Sequence, residues 1–384
     1  MANLIQSIKQ FFSNKQPLPT GMYSYLSPAD QEDQYRLHLR IEGDGSGILV
    51  INASTVLHLN QSAVEYAYHI IKGTPAAEIA SIVAKRYQVN PEQVNLDFEA
   101  FQDQIQTLIH TPDLDPVTYL GIERQEPYKA DISAPYRLDC ALTYRVDRDS
   151  HETDAPVDRV DRELTTKEWK TVLNKAYQVG IPHILYTGGE PTLREDLPEL
   201  LQEAEDLGLV TGLLSDGLRL GDKAYLDTLL TSGLDHFMMI FDPEDDRDWK
   251  VLETVLPDDL FTTVHLTLRN GSDLKPTIKR LAEMGANALS LSVADPEMAE
   301  KLQSLRDYAA VQQLDLVWDL PVPYSSNNPV SLELEKEGDE AFVEGAGKAW
   351  LYVEPDGDVL PAQGLADQIM GNLLTDEWEQ IWSK

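Results

Sequence analysis

Four times between Tyr177 and Val293 a helical stretch ends in glycine and passes directly into an apolar strand: YQVG-IPHILY, EDLG-LVTGLL, LTSG-LDHFMMIF and AEMG-ANALSLSV. Gly180, Gly208, Gly233 and Gly285 each stand where a helix closes in left-handed backbone, the conformation glycine adopts at least cost. A helix that leads straight into another buried strand is the crossover that parallel pairing requires. With VHLTL and LDLVWDL added, six or seven strands are expected from Tyr136 to Leu320. The class is therefore α/β, a partial barrel under a layer of helices, with closure left open.

The region before this array follows a different period. Tyr35, Leu37, Leu39 and Ile41 alternate with Arg36, His38, Arg40 and Glu42, the pattern of a half-buried strand. The cluster Gly43-Asp44-Gly45-Ser46-Gly47 turns the chain back into ILVIN, and a third strand, VLHL, ends at Asn60, an N-cap for a helix from Gln61. Thr74-Pro75 and Asn90-Pro91 each place a cap before a proline at the first helical position. Three strands followed by three helices describe a small winged-helix-like α+β domain over 21–111. His38 and His58 are expected at its surface or edge.

Flanking segments complete the plan. In 1–20, Leu4, Ile5, Ile8, Phe11 and Phe12 have helical spacing, but no cleavage site follows; a docking helix is expected, not a signal peptide. Residues 112–134, with Pro112, Pro116 and Pro127, read as a linker. The barrel occupies 135–320. A tail, 321–384, holds a hairpin around Asp356-Gly357 and a short terminal helix, DEWEQIW.

Charge narrows the partners. Lys and Arg total 31 against 65 Asp and Glu, a net charge of −34. Nucleic acid and anionic membrane surfaces both need excess positive charge near phosphate, so neither is an expected partner. A basic or neutral partner suits the chain better. No window approaches the roughly 18 apolar residues of a membrane span, and a cytoplasmic location is expected. The one cysteine, Cys140, lies in the apolar stretch YRLDCALTY and reads as a buried structural thiol.

In a parallel α/β array, ligands bind at the carboxyl ends of the strands. HILYTGGEPTLR puts Gly188, Gly189, Glu190 and Pro191 there after the second barrel strand, and LLSDG puts Ser215, Asp216 and Gly217 there after the third. Asp242 ends HFMMIFD on the same rim, open to a ribose contact or a loop role. The acidic run PEDDRDW beyond it reads as a solvated loop. Trp318, Asp319 and Tyr324 close the last strand and are candidates for the pocket wall.

GGEP at this place resembles the motif by which radical SAM enzymes hold the methionyl amine of S-adenosylmethionine (SAM). The resemblance implies a CxxxCxxC loop after the first strand, yet Val146, Ser150 and Thr153 stand at that spacing. Valine offers no ligand, and serine and threonine hydroxyls are poor ones for iron. Asp147, Asp149, His151, Glu152 and Asp154 in that loop read as solvated and not as a metal site. The tail WLYVEPDGDVLPAQGL resembles a SPASM or twitch extension with Ala362 in place of a cluster cysteine. The segment Tyr35 to Ile109, LHLNQSAVEYAYHIIKG above all, resembles the PqqD-like peptide chaperones, or RiPP recognition elements, which take a precursor leader as an added strand. On that resemblance Val56, Leu57 and His58, with Ala63, Ala67 and Ile70 of the following helix, would line the peptide groove.

These resemblances imply a radical SAM pseudoenzyme that binds or presents a peptide, beside a cluster-bearing radical SAM partner. The rival readings are a cluster-free enzyme reusing the SAM pocket for SAM-dependent or hydrolytic chemistry, and a peptide-modifying enzyme stripped of its cysteines. No cofactor or metal is expected, and SAM only weakly.

Overall fold

The computed structural model describes residues 18–28, 34–52, 55–111, 114, 119–120, 132–146, 158–269, 271–293, 298–317, 320–322 and 345–382. The N-terminal segment, most of the linker, Ser150, Thr153, Trp318, Asp319 and Tyr324 lie outside them, as do the acidic residues from Asp147 to Asp154. The chain divides into two compact units between Ser133 and Ala134.

The first unit carries an antiparallel sheet in the order β1 (Gly21–Leu26), β2 (Arg36–Ile41), β3 (Gly47–Ile51) and β4 (Thr55–Leu59). Its helices are α1 (Gln61–Ile71), α2 (Ala76–Tyr87) and α3 (Pro91–His110). Alternation sends Leu37, Leu39, Leu49, Ile51, Leu57 and Leu59 to one face, where they pack with Val64, Ala67 and Ile71 of α1 and Ile105 and Leu108 of α3. A second core joins the helices through Tyr66, Ile79, Val83, Val94 and Phe98.

The expected caps form at two of three sites. Asn60 Oδ1 accepts from Ala63 N at 3.0 Å, and Asn90 Oδ1 accepts from Glu92 N at 3.0 Å; such caps contribute about 1 kcal/mol each. Thr74 caps nothing: its hydroxyl meets His69 Nδ1 at 3.1 Å, and Pro75 itself takes the cap position. Two further expectations need correction. Four strands precede the helices, since GMYSYL pairs along the whole of β2. His38 is no surface residue, because its strand lies inside the sheet and it is 2% exposed.

In the second unit, seven parallel strands lie side by side in chain order: β5 (Arg137–Thr143), β6 (His183–Gly188), β7 (Val210–Ser215), β8 (His236–Ile240), β9 (Phe261–Leu268), β10 (Ala288–Val293) and β11 (Asp315–Leu316). The helices between successive strands are α4 (Thr166–Val179), α5 (Leu197–Asp206), α6 (Lys223–Thr231), α7 (Asp246–Val255), α8 (Lys275–Met284) and α9 (Ala299–Val311). Gly180, Gly208, Gly233 and Gly285 close their helices at φ of +91°, +77°, +99° and +91°. This is the partial α/β barrel expected, open among the described strands. Tyr186 identifies its outer side, where the phenol donates to the Leu200 carbonyl of α5 at 3.0 Å. Leu185, Leu214 and Met238 cluster on the opposite, inner face.

The tail contributes more than a hairpin. β12 (Trp350–Val353) pairs in parallel beside β5, then turns at Gly357 into β13 (Asp358–Leu360), which pairs with β14 (Gly371–Asn372). The short helix α10 (Trp378–Trp382) ends the described chain. No helix among the described residues is long and apolar enough to cross a membrane.

Candidate functional site

The carboxyl ends of β5, β6 and β7 meet at Glu190. Its carboxylate is 4% exposed and receives Thr192 N at 2.9 Å, the Thr192 hydroxyl, Ser215 Oγ at 2.9 and 3.0 Å, and Asp216 N at 2.9 Å. Burial, followed by the Asp216 carboxylate, pushes its pKa up to about 8 against those donors. Ser215 Oγ also receives Gly217 N at 2.9 Å, and Asp216 Oδ1 receives Leu218 N at 2.9 Å. Three of the residues named from sequence, Glu190, Ser215 and Asp216, thus form one knot with Thr192.

Backbone packing alone calls for the two glycines. A Cβ on Gly188, at φ +121°, would stand 2.2 Å from the Thr143 carbonyl oxygen; one on Gly189 would stand 2.3 Å from that of Arg145. Gly189 N and Glu190 N donate to those same oxygens at 2.8 and 2.7 Å. Glycine is required here so that the end of β5 can lie against the turn, before any ligand is considered.

Beneath the turn, Arg194 is 8% exposed and donates to the Leu164 and Leu142 carbonyls at 2.9 and 3.3 Å. It also grips Asp196 with two bonds of 2.9 and 2.7 Å. Glu163 accepts from the Thr143 hydroxyl and stands 3.6 Å from Arg145 Nε. None of these supports was read from the sequence, because arginine and glutamate at a loop give no periodic signal.

Asp242 does not join the knot. Its Oδ1 accepts from Glu244 N at 2.9 Å, and its own N–H donates to Asp248 at 2.8 Å. It lines a cleft of about 340 Å³ at the ends of β8 and β9 with Ile240, Thr267 and Arg269. The run after it is no solvated loop: Asp245 caps α7 through Arg247 N at 2.9 Å, and Asp248 and Trp249 are buried.

Leu57 of β4 and Ala67 of α1 are 3% and 2% exposed and belong to the core, so they line no open groove. Val56 and His58 alternate with the core residues and are half-buried, while Ala63 and Ile70 pack at the core's margin. Among the described strands β4 pairs with β3 alone. Burial, then the charge of Arg40, lowers the His58 pKa.

No protein-family model matches the chain. Over 267 residues it is 29% identical to the PqqA peptide cyclase of Methylorubrum populi, covering 59% of this chain and 66% of that one. Over 85 residues it is 41% identical to the PqqA peptide cyclase of Bradyrhizobium diazoefficiens, covering 22% of each. The chain therefore spans between about a fifth and two thirds of these curated relatives. Among solved structures it is similar to Streptococcus suis SuiB bound to S-adenosylmethionine, with a TM-score of 0.57 at 15% identity over 94% of this chain and 88% of SuiB. SuiB bound to its precursor peptide SuiA gives a TM-score of 0.58 at 15% identity, over 92% and 88%.

These relatives correct one expectation. A chain with no cofactor, or with SAM held only weakly, does not fit a sequence related to enzymes that use SAM and iron–sulfur clusters. The physical reason lies in the rim, where among the described residues the Glu190 turn is held by hydrogen bonds without any thiol. Thr187, fully buried on the inner-face register of Leu185, has a hydroxyl with no hydrogen-bond partner among the described residues, the kind of group a polar ligand at Gly188–Glu190 would satisfy. SAM thus fits the residues present. A cysteine-held cluster does not: the single thiol, Cys140, is fully buried within β5, and burial raises its pKa well above the ordinary value. Val146 and Ala362 supply no donor. The chain is related in sequence to PqqA peptide cyclases, which are radical SAM proteins, and it has the radical SAM fold.

Proposed function

We propose that this protein binds a precursor-type peptide and SAM but does not carry out the radical step, acting as a pseudoenzyme beside a cluster-bearing partner. The observation that carries the reading is the donor set: one buried thiol in 384 residues, beside a hydrogen-bonded Glu190 turn. Thiolate ligands hold such clusters, and without three of them no iron is positioned to pass an electron. When bound, SAM supplies a sulfonium carrying methionyl and adenosyl arms. On this chain, Thr187, Gly188 and Gly189 would meet its polar groups, and Glu190 would hold the turn in place through Ser215 and Asp216.

The peptide half of the reading rests on the PqqD-like pattern of 35–109 and on the edge of β4 that pairs with no further described strand. An edge strand offers a row of backbone donors and acceptors to an incoming strand, and flanking side chains read alternate residues. Val56 and His58 are the side chains open to such a peptide. SuiB, which shares the fold, is known with its precursor peptide bound.

The test is calorimetric titration of the purified protein with SAM and, separately, with a synthetic leader peptide encoded beside the gene. Saturable binding of both is expected. Failure of the peptide to bind residues 1–384 would remove the presenting role; failure of SAM to bind would remove the cofactor.

A further inference from the structure

Across β9 and β10 the inner face turns from apolar to polar. The strand register sets His265 opposite Ser290 and Thr267 opposite Ser292. His265 is 1% exposed, with Nδ1 3.0 Å from Ser290 Oγ and Nε2 3.1 Å from Ser292 Oγ. Ser292 Oγ also lies 3.2 Å from the Thr267 hydroxyl, and Thr267 lines the 340 Å³ cleft that holds Asp242. His265 and Ser290 are buried, whereas Ser292 is half-buried, one residue from the carboxyl end of β10.

We infer that Ser292 and His265 form a serine–histidine pair for acyl transfer, a chemistry separate from the SAM rim. Each part of a nucleophile–base–orienter chain is in hydrogen-bond range. With the Nδ1 proton directed at Ser290 Oγ, Nε2 faces Ser292 as the proton acceptor, and Ser290 takes the orienting part that a carboxylate plays in the better-known triads. Ser292, near the strand end and hydrogen-bonded to the cleft-lining Thr267, is the least buried of the three. The substrate class is a carboxylic ester or activated acyl group entering at Thr267.

The steps balance without any redox partner. Ser292 Oγ bonds the carbonyl carbon while its proton passes to His265 Nε2. The bond from that carbon to the leaving oxygen breaks, and the departing alcohol takes the proton. Water then attacks the acyl-Ser292 ester, giving its proton to Nε2, and the carboxylic acid leaves as Ser292 regains its hydrogen.

The test uses the full chain with a fluorophosphonate probe, read by intact mass and peptide mapping. One adduct on Ser292 is expected. Labelling should be lost in Ser292→Ala and slowed by about 100-fold in His265→Gln, the scale of general-base assistance. Ser290→Ala, which leaves nucleophile and base in place, should slow labelling less. Thermal unfolding of each variant shows whether it is folded; should His265→Gln fail to fold, Ser290→Ala and Ser292→Ala carry the comparison. No adduct on the folded parent, an adduct elsewhere, or equal labelling of the parent and Ser290→Ala would each show that the three side chains only pack β9 against β10.

Discussion

Glu190 is the residue on which the rim turns, and its titration gives a direct check. With a folded-state pKa pushed up to about 8 from an ordinary 4.5, it favours the folded state fully below pH 4.5. That contribution is lost as pH rises toward 8, because the unfolded chain ionises first. The shift corresponds to roughly 5 kcal/mol at most, at about 1.4 kcal/mol per unit. Denaturant unfolding at pH 5 and pH 8 should show the parent losing stability that Glu190→Gln does not lose. Equal pH slopes would place Glu190 in its ionised form throughout. Gly188 offers a second check of the same knot. Gly188→Ala, with a Cβ 2.2 Å from a backbone oxygen, should cost on the order of 3 kcal/mol or more. Gly285→Ala, whose Cβ meets nothing within 4 Å, should cost only about 1 kcal/mol for its left-handed backbone. Chemical denaturation of both variants measures the difference.

At the scale of elements, β4 is the strand whose freedom matters. Proline at its centre, His58→Pro, removes an N–H and fixes φ. Leader-peptide binding should fall at least tenfold in titration while thermal unfolding of the barrel is kept; unchanged affinity would rule out strand addition at this edge. Elements were the part of the fold most open to sequence reading. Gly180, Gly208, Gly233 and Gly285 marked four helix ends, because left-handed closure leaves a residue-type signature. Asn60 and Asn90 marked two helix starts for a similar reason. What stayed hidden was long-range. GMYSYL has no clean apolar alternation, so β1 emerges only once β2 is there to pair with it. WLYV joins the sheet beside β5 from more than 200 residues away, which no local pattern announces. At the site, GGEP and LLSDG were legible as rim segments, whereas the His265 chain was not, since VHLTL and ALSLSV read simply as buried strands.

For the whole molecule, two features pull in different directions. The sequence relatives and the fold are those of radical SAM proteins, and the Glu190 turn at the strand ends is tied together by hydrogen bonds. The thiols that make such a barrel a radical source come to one, buried at Cys140. A net charge of −34 adds that any electrostatic attraction for a peptide is to basic residues and weakens as salt rises. Raising salt from about 0.1 to 1 M, which shortens the screening length from roughly 10 to 3 Å, should therefore weaken a basic leader more than a neutral one in fluorescence anisotropy. The most direct test of the central claim is SAM turnover by the full chain after anaerobic treatment with iron, sulfide and dithionite. The expected result is SAM bound by calorimetry with no 5′-deoxyadenosine formed by chromatography. Stoichiometric 5′-deoxyadenosine would contradict it, showing that the protein makes a radical despite its single cysteine.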